Sequence, residues 1–321
     1  MPFILLVRTP GAKAELQHQG IEPVLGNQED FFGALTDIAA CLPFHSDLSK
    51  QTPGYECAVP FPVCRYDYRM DTFLTFLREG PLWLLALLAL AENTIILLGA
   101  VGVGEWLTRR FGDRPVVDAA PPVDATQIVF ATSAVLLNSL ITFLGLLLWR
   151  AGIIQVRADT HTAAVLVDFL RLVFMMDVCM YVLHRVAHLP VFFRLIHRTH
   201  HHYDNPRPLI LFVLNPLEVL GFGLLWLILL CCYDATWLGM SLYLAFNVLF
   251  GVIGHIGVEP VPDRWKRVPV LRYLATSSFH AGHHQHEGYN FGFYTLIWDR
   301  IFGTLSPNYE NDFGRPPTSS H

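Results

Sequence analysis

The chain has 321 residues, of which 53% are hydrophobic and only 15% charged, and its mean hydropathy is positive. That balance lies outside the usual range of soluble domains and points to an integral membrane protein. The net charge of −5 has no basic run behind it, which argues against nucleic acid as a partner.

Met1 to Val7 form too short an apolar run for a signal peptide, with Arg8 on the wrong flank. Residues 1–75 mix Gly, Pro, Cys and acids without a clear period and read as a poorly structured extension or small cap. Cys41, Cys57 and Cys64 lie there without C-x-x-C spacing, and Cys179, Cys231 and Cys232 lie in apolar segments, so all six read as reduced or structural. The first transmembrane hairpin and its linker are expected over 76–160. Four stretches are long enough to cross a hydrocarbon core, which needs about 20 helical residues: 82–101, 128–149, 209–233 and 235–257. A fifth, 162–183, is apolar but carries Asp168, Arg171 and Asp177, so it is either an interfacial helix or a span turned toward a polar interior.

Eleven of the fifteen histidines fall between positions 184 and 286. They form three clusters, His184-x-x-x-His188, His197-x-x-His200-His201 and His280-x-x-His283-His284. Residues at i, i+3 and i+4 share one helix face, so each cluster can present two or three ring nitrogens to a common point. Neutral imidazole is the commonest metal ligand, and a single zinc takes four ligands or three plus water, so eight candidates imply two metals. Ligand type alone leaves zinc, copper, iron and nickel open. Upstream, Asp177 and Tyr181 continue the stripe of His184 and His188. Asp177 is thus placed either to orient a ligand ring or to pair with an arginine on the same face. Glu218 is either a site carboxylate or a cap for backbone freed at Pro216. His202 and His286 adjoin the clusters but point off the shared face, and His18, His45, His161 and His321 are isolated.

The second and third clusters are separated by a two-span hairpin with its tip near Asp234, which returns the chain to one side. Arg185, Arg194, Arg198 and Arg207 precede it, Arg264, Lys266, Arg267, Arg272, Arg300 and Arg315 follow it, and the tip carries no Lys or Arg. By the positive-inside rule the histidine face is cytosolic. The basic residues around the first two spans leave four or five crossings open. The expected fold is all-α, an integral membrane helical bundle with a cytosolic histidine-rich helical cap. The membrane would be endoplasmic reticulum in a eukaryote and the inner membrane in a bacterium.

The sequences DVCMYVLHRVAH from Asp177, HRTHH from His197, TSSFHAGHH from Thr276 and NFGFYTLIWDRIFGT from Asn290 together resemble the fatty acid hydroxylase and sterol desaturase superfamily, nearest its sterol desaturase branch. The resemblance covers roughly residues 165–305 and implies a domain over 161–308 with a short tail at 309–321. It implies a membrane enzyme whose two irons use O2 to hydroxylate or desaturate a lipid, sterol-like or fatty-acyl. The ligands would be His184, His188, His197, His200, His201, His280, His283 and His284. His255, at the end of the last span, is either a ninth ligand or a hydrogen-bonded interface residue. Asn290 and Trp298-Asp299-Arg300 would fix the C-terminal fold. The chain departs from the pattern at Phe279, where many relatives have histidine, and at Asn215-Pro216-Leu217-Glu218, where they tend to have His-Pro-Leu-Glu; both changes bear on the surroundings of the ligands. No haem, flavin or iron–sulfur motif occurs, so electrons would come from a separate carrier protein or reductase. The alternatives are a metal transporter, disfavoured because the clusters lie beyond span ends, or a non-enzymatic scaffold, which has no need of eight histidines.

Overall fold

The computed structural model describes residues 68–315. The expectations for Cys41, Cys57, Cys64, His18, His45 and His321 lie outside them. The described part is mainly helical, with almost no strand. Its main helices are α1 (Tyr68–Glu79), α2 (Leu82–Arg110), α3 (Ala125–Arg150), α4 (Thr162–Ala187), α5 (Pro216–Cys232), α6 (Trp237–His255), α7 (Ser277–Gln285) and α8 (Ile297–Ile301). Two residue pairs, β1 (Val156–Arg157) and β2 (Ala235–Thr236), make a minimal parallel sheet.

Local chemistry sets the ends of these helices. The Asp124 carboxylate accepts from the Gln127 amide at 2.8 Å and starts α3. Thr236 Oγ1 caps α6 through the Gly239 amide. Asn215 Oδ1 accepts from the Leu217 amide at 2.9 Å with Pro216 at the first helical position, where its missing N–H costs nothing. This corrects the expectation of a single span over 209–233. Residues 208–212 form a 3-10 turn, and Pro216 begins α5 rather than kinking it. Helix α1 begins within 1–75, the stretch read as a poorly structured extension or small cap, and gives its last residues a regular helix. Tertiary contacts hold it: Leu74 and Leu77 pack on the cluster of Ile141, Trp149 and Ile154, and the Arg150 guanidinium donates to the carbonyls of Leu77 and Gly80.

By length and composition α2, α3 and α6 can cross a membrane; α5 is apolar but shorter. Helix α4 runs the height of the α5–α6 hairpin. Near its start the buried Asp168 carboxylate accepts from the Thr236 amide at 2.7 Å, from Tyr233 Oη at 2.5 Å and from Arg157 at 2.6 Å, all at the hairpin tip. At its other end His184 lies against Phe291 and His197. The loop between α2 and α3 sits at the histidine end, where the Val116 amide donates to the Gly257 carbonyl and the Glu259 amide to the Arg114 carbonyl. The core between α4, α5 and α6 is built from Leu172, Met176, Leu229, Ala235, Tyr243 and Tyr294, all buried. Within it Tyr294 Oη donates to Asn247 Oδ1 at 2.5 Å and lies 2.8 Å from Tyr243 Oη.

Candidate metal centre

Three short helical pieces carry the histidines. The end of α4 holds His184, with His188 at its cap. The run Pro190–Phe192, Phe193–His197 and Arg198–His201, whose middle part is a π-turn, holds His197, His200 and His201. Helix α7 holds His280, His283 and His284. Its start is capped by Thr276 Oγ1 and by the fully buried Glu259, which accepts from the Ser278 amide at 2.9 Å and from Ser278 Oγ at 2.6 Å. Glu259 was not singled out in the sequence, where it is one acid in a loop with no ligand spacing around it.

These pieces converge so that nine histidines form two groups. His184, His188, His197, His201 and His283 make one, and His200, His255, His280 and His284 the other; within each group the candidate ligand atoms all lie within 4.8 Å of one another. The groups abut, with the His200 and His284 rings 4.7 Å apart and those of His201 and His284 4.9 Å apart. His197, His200, His201, His255, His280, His283 and His284 are buried, while His184 and His188 are half-buried at the edge. His202 and His286 are exposed and belong to neither group.

The outer nitrogens show what the inner ones are free to do. His184 Nδ1 lies 2.8 Å from the Phe291 carbonyl, His283 Nδ1 2.7 Å from that of Tyr289, His255 Nδ1 2.8 Å from that of Gly251 and His200 Nδ1 3.4 Å from that of Val213. A carbonyl only accepts, so each Nδ1 carries the proton and each neutral ring turns a bare Nε2 inward. His197 Nδ1 meets a carboxylate instead, Glu218 Oε1 at 2.6 Å. Both residues are buried, and Glu218 sits in the first turn of α5, facing the site.

Asp177 does not reach a ring. Its carboxylate accepts from the Tyr294 and Thr295 amides, Thr295 Oγ1 and Trp298 Nε1, at 2.6 to 3.1 Å. The expectation that it orients a histidine, or pairs with an arginine, is corrected: it lies about two turns before His184, where the C-terminal segment crosses α4. Asp299 works alongside it, accepting from the Phe291 and Gly292 amides and from Thr304 Oγ1.

Inward-facing nitrogens crowd together, and two pairs have no hydrogen to share. His184 and His197 bring their Nε2 atoms to 3.2 Å, and His200 and His255 to 3.3 Å, although all four rings hold their protons on Nδ1. His201 Nε2 lies 3.1 Å from His197 Nε2, and His280 Nε2 3.1 Å from His255 Nε2. Buried with no hydrogen-bond partner are His188 Nε2, His201 Nδ1, His283 Nε2 and both nitrogens of His284. Facing lone pairs repel, and a shared cation converts that repulsion into ligation. With metal–nitrogen bonds of about 2.0–2.1 Å, ligands on one ion stand roughly 3.0–3.4 Å apart, the spacing found here. Burial pushes the pKa of His200, His280, His283 and His284 well below the ordinary range and that of His201 down to about 2, so these rings are neutral, the form that binds metal. The residues fit two metal ions.

Beside the four-histidine group is a narrow gap of about 10 Å³, around which Phe250, Phe279 and Phe293 stand with Gly254, His255, Thr276 and His280. Phe279, fully buried, stands where a further histidine was anticipated by resemblance, and it packs against Leu296, Tyr309 and Phe313.

Residues 169–304 match the family described as fatty acid hydroxylase. The Delta(7)-sterol 5(6)-desaturase of Leptosphaeria maculans is 27% identical over 147 residues, 44% of this chain and 39% of that protein. A very-long-chain aldehyde decarbonylase of Oryza sativa is 33% identical over 165 residues, 49% of this chain and 25% of the relative. The lathosterol oxidase of Mus musculus is 30% identical over 148 residues, 45% and 46% of the two chains. The chain therefore spans less than half the length of these curated relatives. No solved structure gives a significant match. Residues 169–304 are thus similar to fatty acid hydroxylase domains, and proteins named as sterol desaturase and lathosterol oxidase are among the relatives that share this region.

Proposed function

We propose that the protein is an O2-dependent membrane oxygenase that hydroxylates or desaturates a lipid, with two irons held by the five- and four-histidine groups. The observation that carries this reading is the pair of histidine groups in each of which two bare Nε2 atoms face one another, at 3.2 and 3.3 Å. Iron bound there would supply the O2-dependent oxidising power that breaking an unactivated C–H bond requires and that no side chain offers.

The protein's own residues do the rest. Carbonyls of Phe291, Tyr289, Gly251 and Val213 hold four rings by Nδ1 and so aim their Nε2 atoms. Glu218 does the same for His197 and adds a negative charge that makes that ring a stronger donor. Phe250, Phe279 and Phe293 give the four-histidine group an apolar side. A sterol or similar polycyclic lipid is the favoured class, because relatives named as sterol desaturase and lathosterol oxidase share the matched region. A separate carrier on the same face would deliver the electrons. That face is the cytosolic one, by the distribution of Arg and Lys.

The test is elemental analysis of the detergent-purified chain expressed with iron available, beside a variant with His280, His283 and His284 changed to alanine. Close to two irons per chain, lost in the variant, is expected, followed by an O2-dependent oxidised product in a sterol and fatty-acyl screen. Zinc alone after anaerobic iron reconstitution, or metal moved across vesicles, would overturn the reading in favour of a zinc protein or a transporter.

A further inference from the structure

Two of the carbonyls that fix ligand rings come from one short loop and flank a single residue. Tyr289 supplies the acceptor for His283 Nδ1 and Phe291 the acceptor for His184 Nδ1, at 2.7 and 2.8 Å. Both rings belong to the five-histidine group, yet one rides on α7 and the other on α4. Between the two carbonyls is Asn290, whose φ of 61° makes it the only non-glycine residue with a positive φ among those described. The two target rings lie against one another, with centroids 4.4 Å apart, and the left-handed turn at Asn290 sets the relative direction of the two carbonyls that meet them. Asparagine visits this conformation several-fold more readily than most residues, and a β-branched residue there is a genuine outlier.

The loop is clamped from every direction. Asn290 is 1% exposed. Its side-chain amide donates to the Phe279 carbonyl of α7 at 3.0 Å, its Oδ1 accepts from the Ser306 amide at 2.9 Å, and its own amide donates to the Thr304 carbonyl at 2.8 Å. Gly282 on α7 faces the amide so closely that a Cβ there would stand 3.2 Å from Asn290 Nδ2. Asp299 fixes the following two amides, those of Phe291 and Gly292. These bonds hold Asn290 in a conformation that most residues avoid, at the one position that lies between two carbonyls bonded to rings on different helices.

We propose that Asn290 is a positioning residue for the five-histidine group, and that its left-handed backbone sets the rings of His283 and His184 by presenting the Tyr289 and Phe291 carbonyls. The inference rests on the reading of that group as a metal site. The outer partners of metal-bound histidine are typically worth roughly 10–100-fold in metal affinity. A change at position 290 therefore acts on one of two metals, although the side chain touches no ligand ring.

Cobalt(II) titration of the full chain in detergent, read by absorption spectrum and by chelator competition, tests this, with gel filtration and far-ultraviolet circular dichroism as checks of fold. The wild type is expected to bind two ions. Asn290→Val, which cannot hold the turn without strain, is expected to weaken one of them by roughly 10–100-fold and to alter its spectrum. Asn290→Gly keeps the turn while removing both side-chain bonds, and is expected to bind both ions within about threefold of wild type. His283→Ala is the independent control and is expected to lose the same ion. A folded Asn290→Val protein with wild-type affinity and spectrum for both ions would overturn the proposal, and loss of one ion in His283→Ala would show that the metal reading stands without it. Should Asn290→Val not fold, a tenfold or greater loss in Asn290→Gly would overturn the proposal by showing that side-chain bonds, not the turn, aim the rings. A wild type that takes up no cobalt would remove the metal reading itself.

Discussion

Glu218 illustrates how a single side chain separates the two metal groups. Its Oε1 lies 2.6 Å from His197 Nδ1, whereas the other outer partners are neutral carbonyls. Glu218→Gln keeps an acceptor oxygen but removes the charge, so the His197 ring becomes a poorer donor. One metal of the two is expected to bind about tenfold more weakly by chelator competition, and Glu218→Leu, with no acceptor, closer to a hundredfold. Equal weakening of both metals would contradict the division into groups. The sequence offered two readings of Glu218 and could not choose, because the choice depends on whether α5 begins at Pro216, which turns Glu218 toward the site, or runs straight through it. Asp177 shows the opposite failure. Helical spacing correctly puts it on the stripe of His184 and His188, but two turns of helix separate it from His184 by about 10 Å. Nothing in the spacing reveals that Tyr294, Thr295 and Trp298 fill that interval. Eight of the nine histidines were legible because ligand geometry is written in local spacing, whereas the lone His255 could be read as a ligand or as an interface residue. Their partition into five and four was not, since neighbours such as His200 and His201 fall in different groups.

At the scale of elements, α7 matters most because it feeds both groups, His283 to one and His280 and His284 to the other. Its nine residues are too few to hold a helix alone. The N-terminus is instead fixed by Thr276 and by Glu259, whose Oε2 accepts both Ser278 groups while Oε1 accepts the Val261 amide. A buried carboxylate at that position satisfies free amides and complements the helix dipole. Glu259→Ala strands these donors and frays the first turn, at a cost of roughly 1–3 kcal/mol for the unpaired groups. The expected outcome is a lower melting temperature together with weaker binding of both metals, in contrast to the single metal affected by Glu218→Gln. Retention of one tight site in Glu259→Ala would show that α7 keeps its shape without the cap. The sequence displayed the Thr276 cap position directly, but not Glu259, which closes the helix from 19 residues away along the chain.

For the whole molecule, the open question in the sequence was whether 162–183 crosses the membrane, and the partners of the polar residues that raised it favour a crossing. Asp168 is not stranded at mid-depth: it is bonded to Arg157, Tyr233 and Thr236 at the hairpin tip, and Arg171 bonds Tyr233 beside it. Helix α4 has 26 residues, about 39 Å, enough to cross a core of about 30 Å, and its two ends meet the tip and the histidines. Counting α2, α3, α4, α5 and α6 as crossings puts the loop between α2 and α3 at the histidine end, where its bonds to Gly257 and Glu259 already hold it. That end then has Arg109, Arg110 and Arg114 in the loop, Arg185, Arg194, Arg198 and Arg207 around the first two clusters, and Arg264, Lys266, Arg267, Arg272, Arg300 and Arg315 beyond α6. The sum is thirteen, against five, Arg69, Arg78, Arg150, Arg157 and Arg171, at the tip end of the described residues. The five-crossing arrangement thus strengthens the charge asymmetry that a four-crossing one dilutes. Single cysteines at the exposed positions Asp118, Val270 and Asp234, in a background with the six native cysteines replaced, separate the arrangements. With a membrane-impermeant maleimide, Asp118→Cys and Val270→Cys are expected to react from the cytosolic side and Asp234→Cys from the other. Asp118→Cys reacting with Asp234→Cys would exclude five crossings, because the loop would then lie at the tip. All three reversed would keep the arrangement and move the histidine groups, with their source of electrons, to the opposite face.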